Sequence, residues 1–272
     1  MKLSNTSTRV LVALAAIPLF IIACLVGRYL FLALVLFITL IAYSEFAQMA
    51  RKKGHNPYYV FGFIAIAAIV LNDYINFAEF HLLVICIVLP IVSLEMFRKK
   101  GSPISNIGST LLGIFYIGTL GGCLVKIREF YKDTDYLNGG LIVLTVMAAI
   151  WVCDSAAYFG GLRFGKHRLF QRVSPKKSWE GAIFGFIFSI VAAAAGKHFF
   201  LSFLSWEDSI VIGVLVGIAG QIGDLSESWL KRDAGVKDSS NLIPGHGGVF
   251  DRFDSLIAAA PAVYVYLKLF VK

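Results

Sequence analysis

Apolar residues occupy this chain in long unbroken stretches, separated by short polar segments. The stretches fall at roughly 10–26, 29–49, 58–72, 80–97, 104–125, 140–162, 181–203, 208–230 and 254–271, and about twenty such residues carry a helix across a bilayer. The third is short, and the ninth contains Pro261 and Lys268. Because the runs are continuous rather than alternating, they specify helices and not the strands of a closed barrel. The pattern predicts an all-α, polytopic integral membrane bundle of about nine transmembrane helices.

Charge gives the bundle a direction. An odd number of spans puts alternate loops on opposite sides, and most of the 25 Lys and Arg residues then share one side with the N-terminus. They include Lys2, Arg9, Arg51 to Lys53, Arg98 to Lys100 and the basic residues of the 163–180 and 231–253 loops. The positive-inside rule places the N-terminus and these loops in the cytoplasm, as expected of a multi-pass protein of the inner or plasma membrane. The net charge of +8 is thereby topological, with a share for anionic headgroups. The aromatics lie in apolar spans rather than in a basic patch, so no nucleic-acid partner is expected.

Composition agrees: 58% hydrophobic, 15% charged and a mean hydropathy of +0.76 exclude a soluble domain. Lys2 and Arg9 precede the first span as in a signal peptide. The span is longer than a signal's apolar core and leads through Gly27-Arg28 into the next, so a helical hairpin is the expectation. Cys24, Cys86, Cys123 and Cys153 stand singly in apolar runs, with neither metal nor disulfide spacing. Residues 1–130 read as greasy helices with short basic loops, suited to lipid facing, packing and dimer contacts. Residues 131–272 carry the longer cytoplasmic loops and the ionisable groups within spans. There Gly213 and Gly217, followed by Gly220 and Gly223, allow close helix contact, within the chain or across a dimer.

The polar exceptions carry the chemistry. Gln221, Asp224 and Ser228, spaced i, i+3, i+7, share one face near the cytoplasmic end of the eighth helix, and Glu227 borders it. A carboxylate there is a metal ligand, a salt-bridge partner or a helix-end charge reaching water. The C-terminal end of a helix disfavours anions, and no basic residue precedes Lys231, which favours a bound cation. The loop beyond supplies Lys231, Arg232, Lys237 and the run Pro244-Gly245-His246-Gly247-Gly248, whose glycines permit positive φ and close approach to a ligand. Asp251, Arg252 and Asp254 then open the ninth helix. Either aspartate can serve simply as a cap, with Asp251, between a glycine pair and an arginine, favoured as a ligand.

Asp154 lies about nine residues, roughly 13 Å of helix, from the cytoplasmic end at Arg163. Such a charge costs about 2.5–3.5 kcal/mol on insertion scales, so it faces the interior or a water-filled cavity, as a hydrogen-bonded carboxyl or a functional group. Glu45, near the end of its span, is a lesser case. Ahead of the seventh helix, Ser174-Pro175-Lys176-Lys177-Ser178-Trp179-Glu180-Gly181 offers a capping serine, free amides and two lysines. That combination favours an anion, although the lysines can equally be topological charge. Cations, acidic ligands and glycine turns on one cytoplasmic face suit an anionic nucleotide together with a lipid. Mg²⁺ is commonly held by one or two carboxylates plus substrate phosphates. An attacking phosphate is already ionised at neutral pH, so the difficulty is to bring two anions together.

The segment from Ser228 to Asp254 resembles the signature of the phosphatidate cytidylyltransferases, or CDP-diacylglycerol synthases. That signature has the form Ser-x-hydrophobic-Lys-Arg, then Lys-Asp, then hydrophobic-Pro-x-His-Gly-Gly, ending Asp-Arg-x-Asp, and every element is present. Gln221 to Ser228, Ser174 to Gly181 and Asp154 to Gly160 are similar to the family as well. The resemblance implies Mg²⁺-dependent transfer of CMP from CTP to phosphatidate, a cytoplasmic-leaflet cavity and a homodimer. It implies Asp224 and Asp251 as metal ligands at a paired-cation centre. Lys177 and Asp154 join them at the reacting centre. Lys176, Lys177, Lys231, Arg232, Lys237 and Arg252 would hold phosphates, with His246, Gly247 and Gly248 as substrate contacts. Gln221, Glu227, Ser228 and Glu180 would support them. Other readings are a related CTP-dependent lipid enzyme, such as a CDP-archaeol synthase or polyprenol kinase, and an ion-coupled transporter using Asp154, Asp224 and Glu227.

Overall fold

The computed structural model describes residues 5–243, 245 and 247–271, so Pro244 and His246 lie outside the described residues. Among the described residues the chain forms nine helices. They are α1 (Asn5–Val26), α2 (Arg28–Lys52), α3 (Tyr59–Ile75), α4 (Phe80–Met96), α5 (Pro103–Arg128), α6 (Tyr136–Phe164), α7 (Trp179–Phe199), α8 (Trp206–Asp233) and α9 (Phe250–Phe270). Helix α5 passes through a π-helical stretch, Ile114–Thr119. Six of the described helices, α2 and α5 to α9, are long and apolar enough to cross a membrane. Helices α3 and α4 have 17 residues each, and the apolar part of α1 is Val12–Val26.

Between α6 and α7 the expected loop contains an antiparallel hairpin, β1 (Arg168–Phe170) and β2 (Ser174–Ser178). Neither strand shows a β-branched alternating run, and β2 contains Pro175, which ordinarily argues against a strand. Two strands that short form because the flanking helices hold their ends. Ser178 caps α7 by accepting from the Gly181 amide at 3.2 Å, and the Trp179 amide donates to the His167 carbonyl at 2.9 Å.

The chain packs as two compact units interleaved in sequence. The first comprises Met1–Ala23, Arg28–Val125 and Lys231–Phe253, so the signature loop belongs with the N-terminal helices. Its centre is α2, α3 and α5, packed through small residues. A Cβ on Gly62 would lie 2.0 Å from the Tyr43 hydroxyl, and one on Gly118 would lie 2.9 Å from Ile66. Tyr43, Ile66 and Ile114 are fully buried there.

The second unit comprises Cys24–Gly27, Lys126–Leu230 and Asp254–Lys272. Helices α6 and α7 approach closely: a Cβ on Gly181 would stand 2.6 Å from the Ala157 carbonyl oxygen, and one on Gly160 would stand 2.6 Å from Phe184. The Gly213 and Gly217 pair packs α8 onto α7 within the chain. Cβ atoms there would meet Ile190 at 2.7 Å and the Ser189 hydroxyl at 2.3 Å, and Ser189 donates to the Gly213 carbonyl at 2.9 Å. Gly223 likewise admits Ala258 of α9. Buried Arg128 donates to the carbonyls of Cys24 and Leu25 and to that of Tyr136, tying the end of α1 to the start of α6.

Candidate active site

The second unit gathers one group of charges. Asp224 of α8 forms an ion pair with Lys177 of β2. Both side chains stay about one-third exposed, at 33% and 32%, so the pair is reachable from solvent. Asp154 of α6 lies within electrostatic reach of both Asp224 and Lys177, and its side chain is accessible. Ser228, one turn after Asp224, donates to the other Asp224 oxygen at 3.4 Å, a long contact. Three elements distant in sequence thus bring two carboxylates and one ammonium together.

The hairpin explains why only one of the adjacent lysines takes part. Successive strand residues point to opposite faces, so Lys177 turns toward Asp224 while Lys176 is exposed. Glu180 secures the loop before the hairpin rather than meeting the charge cluster. It accepts from the backbone amides of Lys166 and His167 at 3.1 and 3.2 Å and pairs with the His167 ring at 2.6 Å. Gln221 faces α7, donating to the Ala182 carbonyl at 3.1 Å and the Gly217 carbonyl at 2.7 Å. Glu227 is buried at 1% exposure.

The first unit holds a second group. Asp251, in the first turn of α9, pairs with Lys231 at 2.6 Å, and both side chains are largely buried. Its oxygens also accept from the Ser239 amide and hydroxyl, both at 3.0 Å, and from the Gly248 amide at 2.8 Å. The contact back to Gly248 is a local cap of the kind acidic residues make at helix starts. Capping and ion pairing therefore coexist at Asp251. Asp254 lies one turn inside α9 and is buried.

The glycine run between the two ends of this loop is shaped by its backbone. Gly245 and Gly247 have φ of +75° and +87°, the left-handed region that glycine enters without steric cost. The Ile243 amide donates to the Gly247 carbonyl at 2.8 Å and closes the turn. Arg232, Lys237 and Arg252 are exposed, Arg232 donating to the Val236 carbonyl at 3.2 Å. His246 lies outside the described residues.

Two serines and a glutamate escaped the signature. Ser239, Ser240 and Glu45 are hydrogen-bonded to one another and to the start of α9. Only Glu45 carried a signal, as an ionisable residue inside an apolar run.

Comparison with known proteins matches residues 7–270 to the model of the Cytidylyltransferase family. A phosphatidate cytidylyltransferase of Synechocystis is 32% identical over 96% of this chain and 96% of its own length. One from Haemophilus influenzae is 43% identical over 54% of this chain and 52% of its own. A chloroplastic one from Arabidopsis thaliana, named phosphatidate cytidylyltransferase 5, is 32% identical over 90% of this chain and 67% of its own. The chain belongs to the cytidylyltransferase family.

A family member that works on nucleotide phosphates invites the question whether its carboxylates fit a divalent cation. Among the described residues no group of three or more His, Cys, Asp or Glu converges. Mg²⁺ is ordinarily held by one or two carboxylates together with the phosphates of a substrate. Asp224, with Asp154 near it and a third of its side chain exposed, fits this mode. At Asp251 every bond described comes from a donor, and the Lys231 ammonium occupies the position of a cation.

Proposed function

We propose that this chain is a phosphatidate cytidylyltransferase, transferring CMP from CTP to phosphatidate to give CDP-diacylglycerol and pyrophosphate. The observation that carries the reading is the pairing of two motif aspartates with lysines, Asp224 with Lys177 and Asp251 with Lys231. Such pairs hold an ammonium ready for a phosphate and a carboxylate ready for a cation. The full-length relative from Synechocystis carries the name of that activity.

In the reaction, an oxygen of the lipid phosphate attacks the α-phosphorus of CTP. The bond from that phosphorus to the bridging oxygen of the β-phosphate breaks, and pyrophosphate leaves with both electrons of the bond. The nucleophile is already anionic, so no side chain need remove a proton. The residues instead reduce repulsion between two anions and align them. Lys177 and Lys231 exchange their carboxylate partners for phosphate oxygens, while Lys176, Arg232, Lys237 and Arg252 raise the local positive potential. His246, Gly247 and Gly248 contact substrate, the glycines through backbone. Asp224, with Asp154 near it, would hold a divalent cation, and Asp251 would hold another once Lys231 turns to a phosphate. Bound Mg²⁺ supplies charge neutralisation at the phosphates.

The same reading places about nine spans in the inner or plasma membrane, with the N-terminus and both groups at the cytoplasmic face. It includes the homodimer that the family resemblance implies. Purified protein given CTP, Mg²⁺ and phosphatidate tests the activity. Label from the α-phosphate should appear in the lipid. Label from the γ-phosphate in a polyprenol, with none from the α-phosphate in phosphatidate, would establish a kinase instead.

A further inference from the structure

We infer that Glu45 is a positioning residue of the transfer reaction, holding the Asp251–Lys231 pair in register through Ser239 and the amides that begin α9. This rests on the functional reading above. Glu45 is 2% exposed, and a carboxylate is seldom so buried unless its oxygens are satisfied. Four donors satisfy it: the Ser239 hydroxyl at 2.9 Å, the Ser240 hydroxyl at 2.6 Å, the Val249 amide at 3.0 Å and the Phe250 amide at 2.8 Å. One side chain from α2 therefore grips both ends of the loop that carries the glycine run.

Three details tie this grip to Asp251 rather than to stability alone. The Ser239 hydroxyl lies 2.9 Å from Glu45 and 3.0 Å from Asp251, so its one proton is shared between the two carboxylates and links their positions. The consecutive amides of Gly248, Val249 and Phe250 are divided between them, the first going to Asp251 and the next two to Glu45. A helix start is ordinarily capped by a Ser, Thr, Asp or Asn of its own. Val249 precedes α9 here, and the acceptor comes from a helix roughly two hundred residues earlier in sequence. Gly248 shows how closely the parts fit, since a Cβ there would stand 2.0 Å from the Ser239 hydroxyl and 2.5 Å from a Glu45 oxygen. Removing the charge of Glu45 would place an amide NH₂ against a donor and free the loop to shift Asp251 and Lys231 together.

The test compares wild type with Glu45→Gln, Ser240→Ala and Glu95→Gln, each checked for membrane insertion. Glu95 is the comparison because it is a buried carboxylate of the same unit, bonded to Asn106 and Arg98 and, among the described residues, to none of the site. Amide hydrogen exchange across residues 239–250, without substrate, should rise in Glu45→Gln and stay at the wild-type rate in Glu95→Gln. Turnover per folded molecule should fall about 10- to 100-fold in Glu45→Gln, as when a supporting partner of a site residue is lost, while KM for phosphatidate holds. Ser240→Ala should move both readouts the same way by less, and it serves if Glu45→Gln fails to insert. Unchanged exchange at 239–250 in the inserted variants would overturn the inference. So would a fall in melting temperature with unchanged turnover per folded molecule. If wild type itself transfers no CMP to phosphatidate, the functional reading fails, and exchange still judges the grip.

Discussion

Asp224 and Asp251 each face a lysine from another part of the sequence, 47 positions away for Asp224 and 20 for Asp251. Sequence spacing marks such residues as ionisable groups in apolar surroundings, but pairing depends on tertiary placement. Lys177 illustrates the limit. The Lys176-Lys177 dipeptide reads as one basic patch, and strand alternation then separates its members. Gln221 shares a helical face with Asp224 in sequence, yet it bonds carbonyls of α7 and α8. Lys177→Ala should weaken apparent affinity for CTP or phosphatidate about 10-fold or more, the worth of a charge-assisted hydrogen bond. Titration of each substrate in steady-state assays checks it, and unchanged constants for both would remove Lys177 from phosphate binding. Gly248→Ala should cost about 1–3 kcal/mol by overpacking and also lower turnover, read from thermal unfolding and activity of the same preparation. Wild-type values in both would mean that the tight fit against Ser239 and Glu45 does not constrain the loop.

Among the elements, the helices were legible because long apolar runs leave few alternatives. The glycine spacing on α8 was legible as a packing face. Its partner was not, and the structure assigns that face to Ser189 and Ile190 of α7. The hairpin was illegible, because Arg168–Phe170 and Ser174–Ser178 lack strand patterning and owe their form to the helices around them. Gly217→Leu should lower stability by about 1–3 kcal/mol or more through overpacking, measured as the melting temperature in detergent. An unaltered melting temperature would show that α7 and α8 separate freely there. Glu180→Gln should loosen the 165–167 loop and reduce turnover without abolishing it, because Glu180 acts on the hairpin's support and not on Asp224. Hydrogen exchange at Lys166 and His167 reports the loosening, and unchanged protection would assign their order to the strands instead.

For the molecule as a whole, the proposed orientation of the spans rests on the charge distribution, and the interleaved units divide the signature. The greasy N-terminal half offered little beyond hydropathy, yet its α2 supplies Glu45 to the loop before α9. A buried carboxylate announces itself in sequence, but its distant partners do not. With the four native cysteines replaced by serine, Lys237→Cys and Lys132→Cys should be labelled by an impermeant reagent from the cytoplasmic and the opposite side respectively; exchanged sides would reverse the topology, and labelling of both from one side would contradict the alternation of spans.

The most direct measurement is the transfer of α-phosphate label from CTP into phosphatidate by wild type and by Asp224→Asn, over a range of Mg²⁺, with insertion of both verified. The account expects Mg²⁺-dependent label in wild type and none in the variant at any Mg²⁺ concentration. Wild-type turnover by the inserted variant would contradict it.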